Sequence, residues 1–349
     1  MRDGYAIARL IACYLLCFFF LGYFIWGSVN TIPEKKPTFT DTFLESAENT
    51  SEKEENSSVA QQTESSSAET TQSEATDTSS VEASAAAIKG KITTRYISPY
   101  TAPLSYDSVY LKNSTSLDID LKALLNQKLK FKIAENSEPQ VLIMHTHTTE
   151  SFMQKESEYY TEDDNPRSTD NSKNMVKIGS IIAKKLNDSG IKTLHDTTKH
   201  DYPEYTGSYG RSAATVNSYL KKYPSIKVVI DLHRDSVSTD DGKAKLVTEI
   251  GGKKAAQVML VMGSQSGSVK DYPNWKENLS LAIKLQQKFE LQYPTLARPI
   301  LLRSSKYNQN LTTGSFLLEV GTEANTMEEA TYSAELVGEA LVSLLKTIK

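Results

Sequence analysis

The apolar and polar positions of this chain fall into three regimes. Tyr5 to Trp26 is almost continuously apolar, interrupted by Arg9 near its start. From Thr38 to Ala87 there is almost nothing large and apolar. Beyond residue 88, short unbroken apolar runs alternate with segments of helical spacing. The runs are Val141 to Met144 (VLIM), Lys227 to Leu232 (KVVIDL), Gln257 to Met262 (QVMLVM) and Ser315 to Val320 (SFLLEV). Runs greasy on both faces predict buried strands of a parallel or mixed sheet. Lys173 to Leu186 carries Val176, Ile178, Ile181, Ile182 and Leu186 at helical spacing, and Gly190 stops it. Further helices are predicted over Arg211 to Leu220, Asn278 to Leu291 and Met327 to Ile348, with a short strand at Ile191 to Leu194. Gln154 to Ser172 reads as a long polar loop. Residues 88 to 135 read as one or two short strands and a helix around Asp118 to Gln127. Strands alternating with helices predict an α/β fold, an open mixed or parallel sheet flanked by helices.

The first regime is long enough to cross a bilayer core of about 30 Å. Arg2 and Arg9 precede its greasy centre and put the short N-terminus on the cytoplasmic side, although Lys35 and Lys36 weaken the bias. A cleaved signal peptide is the rival reading. The length of the stretch and the lack of a prompt small-x-small cleavage site favour an anchor. The second regime, dominated by Ser, Thr, Glu, Ala and Gln, buries too little surface to offset its ordering entropy and is expected to be a disordered tether. The expected organisation is therefore a transmembrane anchor in residues 1–30, spanning with residues 5–26, and a linker over 31–88. An N-terminal addition over 89–135 and the main domain over 136–349 follow.

Charge changes this picture little. Thirty-nine Lys and Arg against forty-three Asp and Glu leave a formal −4, much of it in the tether. No nucleic-acid partner is expected. Cysteine changes it more, because Cys13 and Cys17 both lie in the apolar stretch. The exported part has no thiol for a disulfide, a thiolate metal site or a cysteine nucleophile.

Candidate chemistry gathers where apolar runs stop. VLIM ends at His145, Thr146, His147, Thr148, Thr149 and Glu150, KVVIDL ends at His233, and SFLLEV contains Glu319. Ligands of open α/β sheets bind beyond the carboxyl ends of strands. Histidines and a carboxylate from separate strands, with one open position, are what hydrolytic zinc requires, and a further carboxylate would serve as general base. The blander reading makes each histidine a hydrogen-bonded strand-end residue and Glu319 a buried ion-pair partner. For the third ligand, a strict strand would put His145 on the face of His147. The polar run after Met144 points instead to a turning chain that returns Glu150 beside His147, and a carboxylate offsets part of the zinc charge; Glu150 is the expected ligand. Arg234 is either a surface ion pair with Asp235 or a fork for a substrate carboxylate, and Arg211 carries the same two readings. Tyr307, Asn308 and Asn310 suit a hydrogen-bonding wall for a peptide or sugar.

VLIMHTHTTES, HDYPEYTGSYGRS, VVIDLHRDS, YNQNLT and FLLEVGTEANT, in that order from about Thr93 onward, resemble the SpoIIP family, stage II sporulation protein P. That family is similar in fold to the zinc N-acetylmuramoyl-L-alanine amidases. The resemblance implies His147 and His233 as zinc ligands and Glu319 as the catalytic glutamate. It departs at NSKNMVKIG, where the amidases carry a ligand glutamate and this chain has no carboxylate. What it implies is a peptidoglycan hydrolase, wall-facing and anchored in the cell membrane. It would cut the muramoyl–alanine amide, and cross-linked stem peptides as well, during engulfment of the forespore. The implied partners are stage II sporulation proteins D and M. The rivals are a zinc endopeptidase with little amidase activity and a non-catalytic wall-binding module.

Overall fold

A computed structural model describes residues 87–134 and 138–348. The expected anchor, including residues 5–26, and residues 31–86 of the expected linker lie outside the described residues. Among the described residues no helix is long and apolar enough to cross a membrane.

The strands are β1 (Ile88–Arg95), β2 (Leu104–Tyr106), β3 (Val109–Asn113), β4 (Val141–Met144), β5 (Tyr159–Thr161), β6 (Thr193–His195), β7 (Val228–Asp235), β8 (Ser238–Thr239), β9 (Gly242–Ile250), β10 (Lys253–Ala256), β11 (Val258–Gly263), β12 (Ile300–Arg303) and β13 (Ser315–Thr322). The α-helices are α1 (Leu121–Asn126), α2 (Met175–Asp188), α3 (Ser208–Lys222), α4 (Trp275–Gln292) and α5 (Met327–Leu345). The eight-stranded sheet runs β2-β3-β12-β11-β13-β7-β4-β6. It is mixed: β13, β7, β4 and β6 are parallel neighbours, whereas β11 lies antiparallel to β13.

The period-two alternation of the strands sorts the core. Val141, Ile143, Val228, Ile230, Leu232, Phe316, Leu318 and Val320 enter the large cluster shared with α2, α4 and α5. Leu142, Met144 and Val229 face the other way and pack with Val216 of α3 and with Ile226. One face is therefore covered by three helices and the other, over β4 and β7, by α3. Local chemistry sets the helix starts. The Asn174 side chain accepts from Val176 N at 3.0 Å, and Thr326 with Glu329 forms a reciprocal capping box on α5. Gly207 precedes α3 at φ +81°, in the left-handed region that a glycine enters without strain.

A second sheet, β10-β9-β1-β5 with β8 beside β9, is not foreseen by the apolar runs. Its strands carry Lys and Thr on one face (IKGKITTR, GKAKLVTEI) and so lack a continuous greasy signature. Buried Lys245 joins this sheet to the rest, with Nζ 3.0 Å from Glu329 and 2.6 Å from Glu156. Residues 104–113, expected within an addition to the main domain, form β2 and β3 at the edge of the main sheet itself.

Candidate active site

Three adjacent parallel strands bring the polar residues together. Met144 of β4 lies opposite Asp231 of β7, and His233 of β7 opposite Glu319 of β13. Strand alternation puts Asp231, His233 and Glu319 on the face that α3 covers. β7 does not stop before His233 as the apolar run suggests, but continues to Asp235. Past β4 the chain turns at once, and Glu150 N donates to His147 O at 3.2 Å, returning the glutamate toward the strand ends.

The result is a buried cluster. His233 Nδ1 lies 3.5 Å from Glu150 Oε2, and its Nε2 lies 2.8 Å from Asp231 Oδ1, out of line for a hydrogen bond. The rings of His147 and His233 meet edge to face at 5.2 Å. Burial opposes charge on His233, but Asp231 and Glu150 hold its pKa well above the ordinary value. Burial alone would raise Glu150 and Asp231; contacts with His233 hold both below the usual carboxylate range, helped at Glu150 by the Arg234 and His147 charges. His147 has no such partner at hydrogen-bonding distance, and burial pulls it down to about 4. Glu319 is different again. Its Oε2 is buried without a partner, and burial, reinforced by the Asp235 charge, pushes the carboxyl up to about 8.

His145 lies outside this cluster. Fully buried, its Nδ1–H donates to Leu232 O at 2.9 Å, so its Nε2 accepts from His195 Nε2 at 2.8 Å. Both ring nitrogens are thereby used, and Glu150 rather than His145 stands against His233.

The donor set suits zinc in kind: two imidazoles and a carboxylate, with the Asp231 charge 2.8 Å from the other nitrogen of His233. Ligand atoms on tetrahedral zinc sit about 3.3 Å apart, given bonds near 2.0 Å, and the 3.5 Å between His233 Nδ1 and Glu150 Oε2 matches that edge. Among the described residues no three His, Cys, Asp or Glu side chains already converge as a metal site. The side chain out of place is His147, whose Nε2 is 3.1 Å from Tyr205 Oη and whose Nδ1 is 3.4 Å from Ser208 Oγ.

Three residues expected to contact substrate are engaged within the protein. Arg234 alternates away from His233 into the protein, where Nε donates to Ser151 O and Nη2 to Pro166 O. Its buried guanidinium ties loops together and offers no fork to a ligand. Arg211 donates to the carbonyls of His200, Thr206 and Glu204, so it shapes the loop before α3. Asn308 donates to Tyr209 O and Ser212 Oγ and fastens the start of α3. Other residues around the cluster went unrecognised in the sequence. Tyr205 stacks on His147 at 4.5 Å, and the Arg167 guanidinium lies 4.6 Å over Tyr205. Asp231 was legible in principle, since it lies two positions before His233 and shares its face.

What fold and site define is an α/β protein with a buried histidine–carboxylate centre at the carboxyl ends of parallel strands. The sequence model described as stage II sporulation protein P (SpoIIP) matches residues 27–342. The chain belongs to that family. Stage II sporulation protein P of Bacillus subtilis (strain 168) is 30% identical over 200 residues, covering 54% of this chain and 47% of that protein. The chain thus spans about half the length of this curated relative. Similar solved structures include N-acetylmuramoyl-L-alanine amidase AmiC2 of Nostoc punctiforme (TM-score 0.36, 13% identity, 60% of this chain and 99% of that one). The N-acetylmuramyl-L-alanine amidase Ami1 from Mycobacterium smegmatis is another (TM-score 0.38, 12% identity, 61% and 99%). Scores at this level carry no argument about activity.

Proposed function

We propose that the protein is a zinc-dependent peptidoglycan hydrolase of sporulation that cuts the N-acetylmuramoyl-L-alanine amide. The observation that carries this reading is the meeting of His147, Glu150, His233 and an unpartnered, buried Glu319 at one end of the sheet. His147, Glu150 and His233 would hold the ion. When bound, zinc supplies a Lewis acid that acidifies water and polarises a scissile carbonyl. Glu319 Oε2 takes the proton of the attacking water and returns it to the leaving amide nitrogen, a role open to a buried carboxylate oxygen with no partner of its own. Asp231, 2.8 Å from His233 Nε2, sets a negative charge beside the ring that favours a cation there. Cleavage of stem-peptide cross-links is the same chemistry on a second amide. The anchor over residues 5–26, a wall-facing position, and association with stage II sporulation proteins D and M belong to this proposal. The test is digestion of isolated sacculi by the purified chain, with and without a chelator. Chelator-sensitive release of peptides with a new N-terminal alanine supports the reading; intact sacculi, with metal present, count against it.

A further inference from the structure

A substrate carboxylate needs a cation that the protein has not already used, and Arg234 and Arg211 have spent theirs on backbone carbonyls. Arg167 has not. Its Nη1 is anchored by a 2.6 Å contact to the fully buried Asp201 side chain and a 3.3 Å contact to Thr149 Oγ1. Its Nε and Nη2 make no hydrogen bond among the described residues, and the side chain is 37% exposed. The head group therefore sits in a fixed position with donors to spare. Tyr205 supports it from beneath, and the backbone of Arg167 is bridged to that of Glu150.

Arg167 also lines a cleft of about 200 Å³ whose other cations are Lys173 and Lys243. The anions in its wall are Asp163, Asp164 and Glu323. Two of these are engaged: Asp164 accepts from Thr161 N and Oγ1, while Glu323 lies 3.6 Å from Lys243 and 3.8 Å from Arg234. The guanidinium is the group in this wall that combines a rigid anchor with open donors. It reaches His147 through one shared ring, lying 4.6 Å from the Tyr205 centroid, which is itself 4.5 Å from the imidazole. An extended peptide advances about 3.4 Å per residue, so a carboxylate held on this guanidinium lies within about two to three residues of a bond at His147.

From this geometry we infer that Arg167 and the cleft beside it form a carboxylate subsite, which selects peptides bearing a free carboxylate two or three residues from the scissile amide. The inference rests on the hydrolase reading for which bond is cut, but binding tests it separately. Two probes serve, both ending in a C-terminal carboxamide: N-acetyl-L-alanyl-γ-D-glutamyl-L-lysinamide, whose one carboxylate is the glutamyl α-carboxylate, and its counterpart with that carboxylate amidated. Calorimetry on the full chain is expected to give about tenfold tighter binding of the free acid, the worth of one charge-assisted fork. Arg167→Gln abolishes the discrimination, and Arg167→Lys, which keeps the ion pair with Asp201 but loses the fork, reduces it. Equal binding of both probes by the wild-type chain, or binding of neither, overturns the subsite without recourse to a variant. Discrimination that survives in a folded Arg167→Gln chain overturns the assignment to Arg167. If discrimination holds while sacculi stay intact, the subsite stands and the hydrolase reading falls.

Discussion

Glu319→Gln separates two properties that one buried carboxyl combines. In the metal-free protein, burial lifts this carboxyl from an ordinary 4.5 to about 8. The folded state then holds a proton that the unfolded state has released, so stability is lost as pH rises from 4.5 to 8 and levels off above it. At about 1.4 kcal/mol per pH decade the upper bound is on the order of 5 kcal/mol, and relaxation around the site reduces it. Glutamine has the same shape and nothing to titrate. Urea melts of the metal-free chain are expected to show variant and wild type at a constant offset near pH 5. The variant then gains about 2 kcal/mol or more on the wild type by pH 8.5. The constant cost of a buried amide cancels in that comparison. With zinc present, the variant retains the ion but loses hydrolysis by about 100-fold or more, because the proton acceptor is gone. Parallel stability curves from pH 5 to 8.5 would refute the buried, proton-holding carboxyl. Loss of zinc would make Glu319 a ligand, and near-normal turnover would make it structural.

Four further outcomes follow from the same geometry. Glu150→Ala removes the carboxylate facing His233 Nδ1 and is expected to lower zinc affinity at least about tenfold in a chelator competition. His145→Ala leaves that affinity intact but destabilises the fold by about 2–4 kcal/mol through two lost buried hydrogen bonds. Zinc binding is expected to displace the proton that Glu150 and Asp231 hold on His233, so that affinity falls as pH drops and calorimetry in buffers of different ionisation enthalpy registers proton release. Gly179→Ala pushes a Cβ to 2.4 Å from His195 Nε2 and 2.9 Å from His145 Nε2. Its overpacking cost of about 1–3 kcal/mol should appear as a lower melting temperature, and an unchanged melt would deny the close approach.

The central strands were legible because burial on both faces leaves an unbroken apolar run, as in VLIM and FLLEV. The second sheet was not, since β1 and β9 present one polar face and mimic loop. The end of β7 was misjudged for a related reason: His233, Arg234 and Asp235 remain in the sheet, buried by polar contacts that hydropathy does not register. The ends of the apolar runs could suggest that His147, His233 and Glu319 gather on one side of the sheet, because ligands bind beyond strand ends. It could not tell a guanidinium whose donors are consumed, Arg234, from one with donors left over, Arg167. That distinction depends on which carbonyls fold nearby, and those of Ser151 and Pro166 come from 83 and 68 residues away in the chain.

The most direct measurement of the central claim is zinc content and hydrolysis followed together in one preparation of the full chain. The predicted result is one zinc per chain, loss of both zinc and activity on sacculi in a chelator, and return of both when zinc alone is restored. Sacculi cleaved at the muramoyl–alanine amide by a chain stripped of metal would contradict the account, as would a zinc-loaded wild-type chain that cleaves nothing.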